Sequence, residues 1–227
     1  MHLADGTLPP LHCAIYFAIV IPIVLYGIVK LRENIRKYGT EYVKLFLLLM
    51  AIVFVLSGWH IPVPVAGSCS HPCGTPLAGL ILSIPEIFLM SFCVLILQAL
   101  YGHGGFTTLG ANTLSLALIP AVLSYFVRRI VLRMDKGPAR SAILFISGVV
   151  GDLGVYLTTS IELALAWGHT ITKILQLIGT IFMLYMPVQF PISLIDGIVN
   201  MKLFDYIVNR FDITKEILHI VPIQQKT

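Results

Sequence analysis

Met1 and His2 put three nitrogens within one run of covalent bonds: the α-amine, the amide of residue 2 and its imidazole. Once the amide loses its proton, these donors can take three corners of a square around one divalent ion, an arrangement suited to Cu(II) and Ni(II) and open to Co(II). A fourth donor would close the plane. His71 lies in a stretch dense in turn formers (Gly67, Pro72, Gly74, Pro76) that can fold it back onto the terminus, and imidazole is a good ligand for these ions. A plainer reading stands beside this one. Any chain with a second-position histidine has two of these donors by accident, and a loop histidine is more often solvated. The chelate also needs a free amine. No Lys or Arg precedes Lys30 and no polar, small-residue cleavage region is found, so no secretory signal is expected and Met1 should keep its amine.

Four cysteines, Cys13, Cys69, Cys73 and Cys93, follow no regular framework, so structural disulfides are not expected. Cys69 sits two residues from His71 and a thiolate is a strong soft ligand, yet with four nitrogens available a packing or buttressing role is favoured. Ser70 beside it, His103 in the short Gly102–Gly105 turn and Asn112 beyond that turn are further candidates to orient a ligand by hydrogen bonding. Gln98 and Asn112 flank the turn, and one of them is expected to hold the segment carrying His71. His12, His60, His169 and His219 fall at span ends or in the tail, where interfacial placement accounts for them. Glu86, Asp152, Glu162 and Asp196 are costly inside apolar runs and are functional candidates by default. Pairing with Arg or Lys near a span end is the simpler explanation, and it is preferred for Asp152.

The elements that must position these residues are membrane helices. Of the 227 residues, 57% are hydrophobic and 11% charged, with mean hydropathy +0.91, whereas a soluble domain carries roughly a quarter charged residues. A water-soluble globule is excluded. Apolar runs of bilayer length must be helices that satisfy their own backbone hydrogen bonds. The net charge of +4 does not signal nucleic acid, because Lys and Arg gather in short stretches between apolar runs, where they record orientation. The first span covers 11–29, and the basic loop 30–44 (Lys30, Arg32, Arg36, Lys37, Lys44) should face the cytoplasm. Residues 45–58 return the chain outward, so the chelating segment 1–10 and the loop 59–76 share the outer side. If 77–101 were one span, the basic loop 128–140, with Arg128, Arg129, Arg133, Lys136 and Arg140, would fall outside. Parity therefore demands another crossing or a re-entrant hairpin. Pro85 supplies the break, giving a short coupled pair, 77–84 and 86–101. Spans at 107–127, 141–167 and 171–200 follow, with kinks at Pro187 and Pro191 and a cytoplasmic tail from Lys202. The expectation is an all-α integral membrane protein of one domain, residues 1–227. It should have about seven transmembrane helices, an outer amino-terminus and a cytoplasmic carboxy-terminus. Six helices is the fallback.

Longer motifs carry a family resemblance. Met1-His2 with Asp5-Gly6 and Leu8-Pro9 resembles the amino-terminal signature of the CbiM/NikM proteins, substrate-capturing S components of energy-coupling factor transporters for cobalt and nickel. Gly67-Ser68-Cys69-Ser70-His71-Pro72-Cys73-Gly74-Thr75 resembles the outer-loop signature of the CbiM branch. So does His103-Gly104-Gly105-Phe106-Thr107-Thr108-Leu109-Gly110-Ala111-Asn112, which follows Leu97-Gln98-Ala99-Leu100. The resemblance covers most of the chain and weakens toward its later part. It implies seven helices and a buried metal held through the first two residues and a loop histidine, here Met1, His2 and His71. It also implies a transmembrane coupling (T) subunit and cytoplasmic ATPase subunits as partners, with room for a small accessory membrane protein. Three departures stand out: Leu3-Ala4-Asp5 replaces the usual Ile-Met-Glu, Cys73 stands where Thr is common, and Pro76 where Gly is common. The Cys73 thiol can tune preference toward softer ions.

No Gly-rich loop ending in Lys-Ser or Lys-Thr occurs, so uphill transport must draw on other subunits. The expected function is capture of Co(II), with Ni(II) second, in the cell membrane. The chain is not expected to be an enzyme, because four nitrogens in a plane leave no place for an activated water. A membrane metal sensor or a metalloenzyme is the rival reading.

Overall fold

Apolar runs of bilayer length become helices, several of which carry a proline in the first turn. The structure, a computed structural model, describes residues 1–63 and 68–218. Its helices are α1 Pro10–Tyr38, α2 Thr40–Ser57, α3 Thr75–Gly79, α4 Ile84–Leu100, α5 Leu109–Val131, α6 Pro138–Trp167, α7 Ile171–Arg210 and α8 Asp212–Ile217. A short antiparallel ladder, β1 Ile61–Pro62 with β2 Cys69–Ser70, pairs Ile61 with Ser70 and Pro62 with Cys69. Helices α1, α2, α5, α6 and α7 are long and apolar enough to cross a membrane. Large apolar side chains such as Leu25, Val55, Phe126 and Leu175 are exposed on the bundle's outside. This is a multi-pass membrane protein. Helix α7 rises about 60 Å, twice the hydrocarbon thickness. Near its far end Asp205 takes a two-pronged pair from Arg140 at 2.5 and 2.8 Å.

Pro10, Pro85 and Pro138 occupy first turns, where a missing N–H is an orphan anyway. Pro85 therefore starts α4 rather than breaking a longer helix. Glu86 closes the start by accepting from the Ser83 amide at 3.1 Å and its hydroxyl at 2.6 Å, a capping box. Because Ser83 is extended to cap α4, the helix expected over 77–84 does not form. In its place stands α3, five residues long and rising roughly 8 Å. The prolines at 187 and 191 lie inside an unbroken α7.

Residues 68–82 are buried without interruption and mostly non-helical. Irregular backbone at membrane depth survives only where protein groups satisfy it. The Tyr156 hydroxyl accepts from the His71 amide at 2.9 Å, and Gln189 donates to the His71 carbonyl at 3.2 Å. Asp196 accepts from the amides of Cys73 and Gly74 at 2.7 and 3.0 Å. Ser124 donates to Pro76 O at 2.8 Å, and Arg128 donates to the carbonyls of Ile81 and Leu82 at 3.2 and 3.3 Å. The passage thus runs from the region of Met1 to the level of Arg128, and α4 carries the chain back to Gln98. One irregular passage and one helix replace the two helices expected over 77–101.

Candidate metal site

The amino-terminal segment is drawn into the bundle and clamped. Met1 and Leu3 are fully buried and His2 is 2% exposed. Asn112, in the first turn of α5, grips Leu3 at both ends: Oδ1 accepts its amide at 2.8 Å and Nδ2 donates to its carbonyl at 3.0 Å. The Thr108 hydroxyl donates to the same carbonyl at 2.6 Å. Asp5 Oδ1 accepts from the hydroxyl and amide of Thr107 at 2.6 and 2.7 Å, and these bonds hold its carboxyl below the usual range. Gly104 has φ +91°, and a Cβ there would sit 3.4 Å from the His2 ring. The turn bringing His103 over His2 therefore needs a glycine.

The donors then follow in order. The Met1 amine donates to the Cys69 carbonyl and to the Tyr156 hydroxyl at 3.3 Å, and lies 3.4 Å from His71 Nε2. His71 Nδ1–H donates to Pro72 O at 3.0 Å, so the Nε2 lone pair faces the amine. Gln98 donates through Nε2 to Ser57 Oγ at 2.8 Å and Phe54 O at 3.3 Å. Its Oε1 is left to accept from His2 Nε2 at 2.7 Å, so His2 Nδ1 carries the lone pair, which faces the Cys69 thiol. On each ring, a hydrogen bond at one nitrogen selects the other as ligand. No hydrogen bond from the His2 amide is found among the described residues. The two ring centroids lie 4.6 Å apart. Burial pushes the Met1 amine below its ordinary value and His2 well below its own, which favours the neutral forms that bind metal.

The other expected residues gather unevenly. The Cys69 thiol lies 3.6 Å from His2 Nδ1 and 3.1 Å from His103 Nε2. The His103 ring lies 4.0 Å from the His2 ring, and burial pushes it down to about 4. His60, assigned from sequence to an interface, is exposed, with its ring 5.0 Å from that of His103. Ser70 Oγ is buried without a partner among the described residues. Gln98 and Asn112 hold the amino-terminal segment, not the His71 segment. Tyr156, Gln189 and Asp196 hold the latter, a role the sequence did not suggest; its one trace was polar groups set in apolar runs. Asp152 has no cationic partner among the described residues, contrary to expectation, and is bonded by Gln189 instead. Glu86 accepts from Asn34 and Tyr42, and Glu162 from Ser115. Gly67 and His219 lie outside the described residues.

The CbiM family, described as the cobalt uptake substrate-specific transmembrane region, matches residues 2–212. The chain belongs to this family. The cobalt transport protein CbiM of Clostridium tetani is 36% identical over 209 residues, covering 91% of this chain and 84% of its own. That of Salmonella typhimurium is 33% identical over 215 residues, covering 94% and 86%. A crystal structure described as a transition metal transporter shares the fold, with TM-score 0.75 across 100% of both chains at 23% identity. A CbiM-family chain is a component of metal uptake, and the buried nitrogen cluster is one place where this one carries ligating side chains.

Proposed function

We propose that this CbiM-family chain captures Co(II), with Ni(II) second, at the outer face of the cytoplasmic membrane, and delivers it as the S component of an ATP-driven energy-coupling factor importer. One observation carries the reading. The buried Met1 amine lies 3.4 Å from His71 Nε2 and the buried His2 and His71 rings lie 4.6 Å apart, with both imidazoles held by Gln98 and Pro72 in the tautomers that leave His2 Nδ1 and His71 Nε2 to bind an ion. A nitrogen square suits both ions, so the ranking rests on relatives named for cobalt.

The chain makes seven crossings: α1, α2, the passage through 71–83, α4, α5, α6 and α7. This orientation sets Met1 outward and the clusters Lys30–Lys44 and Arg128–Arg140 in the cytoplasm, following the positive-inside tendency. A chelate this enclosed binds too firmly for a channel, which needs weak sites. Release inward draws on a transmembrane coupling subunit and cytoplasmic ATPases, with a small accessory membrane protein as a further partner.

Accumulation of labelled cobalt tests the reading. Cells lacking other uptake routes should take up the ion when this chain is expressed with its coupling and ATPase subunits, and should stop when the ATPase cannot hydrolyse ATP. Equal accumulation by the chain alone, or with the inactive ATPase, contradicts it.

A further inference from the structure

A second cluster of ligating side chains lies on the same buried passage. Helices α6 and α7 approach closely at Gly148, where a Cβ would fall 2.3 Å from Asp196 O and 2.8 Å from Gly197 Cα. Small residues permit such an approach between membrane helices. Next along α6, residue 151 packs against the Pro76 ring. These contacts press Asp152 of α6, Asp196 of α7 and Cys73 of the passage together. One carboxylate oxygen from each acid and the Cys73 sulfur lie within 4.8 Å of one another, and all three residues are fully buried. Donors bound to one ion at about 2.0–2.3 Å stand at most about 4.6 Å apart, so a small closure suffices.

Hydrogen bonds account for only part of this polarity. Asp196 accepts two backbone amides, and Asp152 Oδ2 accepts from Gln189 Nε2 at 2.5 Å. Asp152 Oδ1 and Gln189 Oε1 are buried with no partner among the described residues. No Lys, Arg or His pairs with either acid among those residues. Two adjacent buried carboxylates without a cation are costly. A bound cation offsets that cost and uses the unpartnered oxygens.

We propose that Cys73, Asp152 and Asp196 form a second divalent transition-metal site, with Gln189 Oε1 as a neutral donor, which receives the ion after the nitrogen cluster. Gln189 joins the two sites, since its Nε2 donates to both the His71 carbonyl and Asp152. Cys73 lies two residues along the passage from His71. Thiolate and carboxylates suit the same borderline ions that imidazole binds, and without a covalent chelate they let the ion move on. Only the order of the two stations rests on the capture reading; the site itself is tested separately.

The probe is Co(II) titrated into the purified full-length Cys69→Ser chain in detergent, which removes the thiol beside the outer cluster. Two equivalents should bind, one with a thiolate-to-cobalt charge-transfer absorption. Cys73→Ser should abolish that absorption and leave one equivalent. Asp152→Asn should keep the absorption but weaken the second equivalent at least about tenfold. A few residues fused before Met1 should remove the other equivalent and leave the thiolate absorption. A stoichiometry of one with no thiolate absorption overturns the proposal, and so does an absorption that survives Cys73→Ser. Thiolate absorption without nitrogen-bound cobalt would instead sink the outer-site reading and leave this one standing.

Discussion

His71 and Cys73 stand two residues apart on one buried passage, yet the clusters around them are built by opposite rules. Around His71, Gln98, Pro72 and Tyr156 each fix one donor, so the nitrogen set is organised before any ion arrives. Around Cys73, a carboxylate oxygen and an amide oxygen have no partner, and the acids pair with no cation, among the described residues. The scaffolds differ as well. The outer cluster hangs on an amino-terminal segment clamped to α5, whereas the inner one depends on the close contact of α6 with α7. On the two proposals above, a rigid chelate beside a looser anionic site would form a gradient from tight capture to easier release.

Removing an outer ligand should give the largest effect. His71→Ala should weaken nitrogen-bound cobalt by more than about a hundredfold, beyond the range typical of residues that only orient ligands, while the thiolate absorption persists. Calorimetry with absorption spectroscopy checks both. If both signals collapse together, the two regions are one site and the contrast fails.

Gln98→Leu should come next, with a loss of about 10–100-fold at the outer site alone. It frees the His2 ring to take either tautomer, and the same titration reads it. Asn112→Ala leaves the amide and carbonyl of Leu3 short of partners, which should destabilise the chain by about 1–3 kcal/mol and weaken outer binding more than inner. Thermal unfolding measured beside the titration separates these effects.

The smallest effect belongs to Asp5. Its folded carboxyl is held below the ordinary 3.8 by Thr107, so its contribution is fully present above the unfolded value and is lost as pH falls through the folded one. The carboxylate is exposed, and screening keeps the contribution under about 1 kcal/mol. Asp5→Asn should therefore lower stability at neutral pH by under about 1 kcal/mol, leave it unchanged at the acid end where the contribution is already lost, and so slightly flatten the acid limb of a stability profile.

Legibility in the sequence follows the range of the interaction that decides each feature. The spans at 11–29, 45–58 and 141–167 fall inside α1, inside or one residue past α2, and inside α6, because an apolar run of bilayer length has one stable backbone solution. The Met1–His2 donors were visible because covalent spacing sets them. Pro85 was misread because a proline at the first turn and one in a helix interior look alike until the capping partners Ser83 and Glu86 are considered. The passage through 71–83 was hidden, since its backbone is satisfied by Tyr156, Gln189, Asp196, Ser124 and Arg128, all distant in sequence. The Cys73–Asp152–Asp196 cluster was hidden for the same reason. Its two acids lie 44 residues apart in sequence, and the α6–α7 contact joins them.

The central claim, that the Met1 amine grips the ion together with His2 and His71, is met most directly by moving a short peptide from one end of the chain to the other. In a Cys73→Ser background, fusion of a few residues before Met1 should abolish high-affinity Co(II) binding in a calorimetric titration, while the same residues placed after Thr227 should leave it unchanged. Undiminished affinity with the amine blocked contradicts the account.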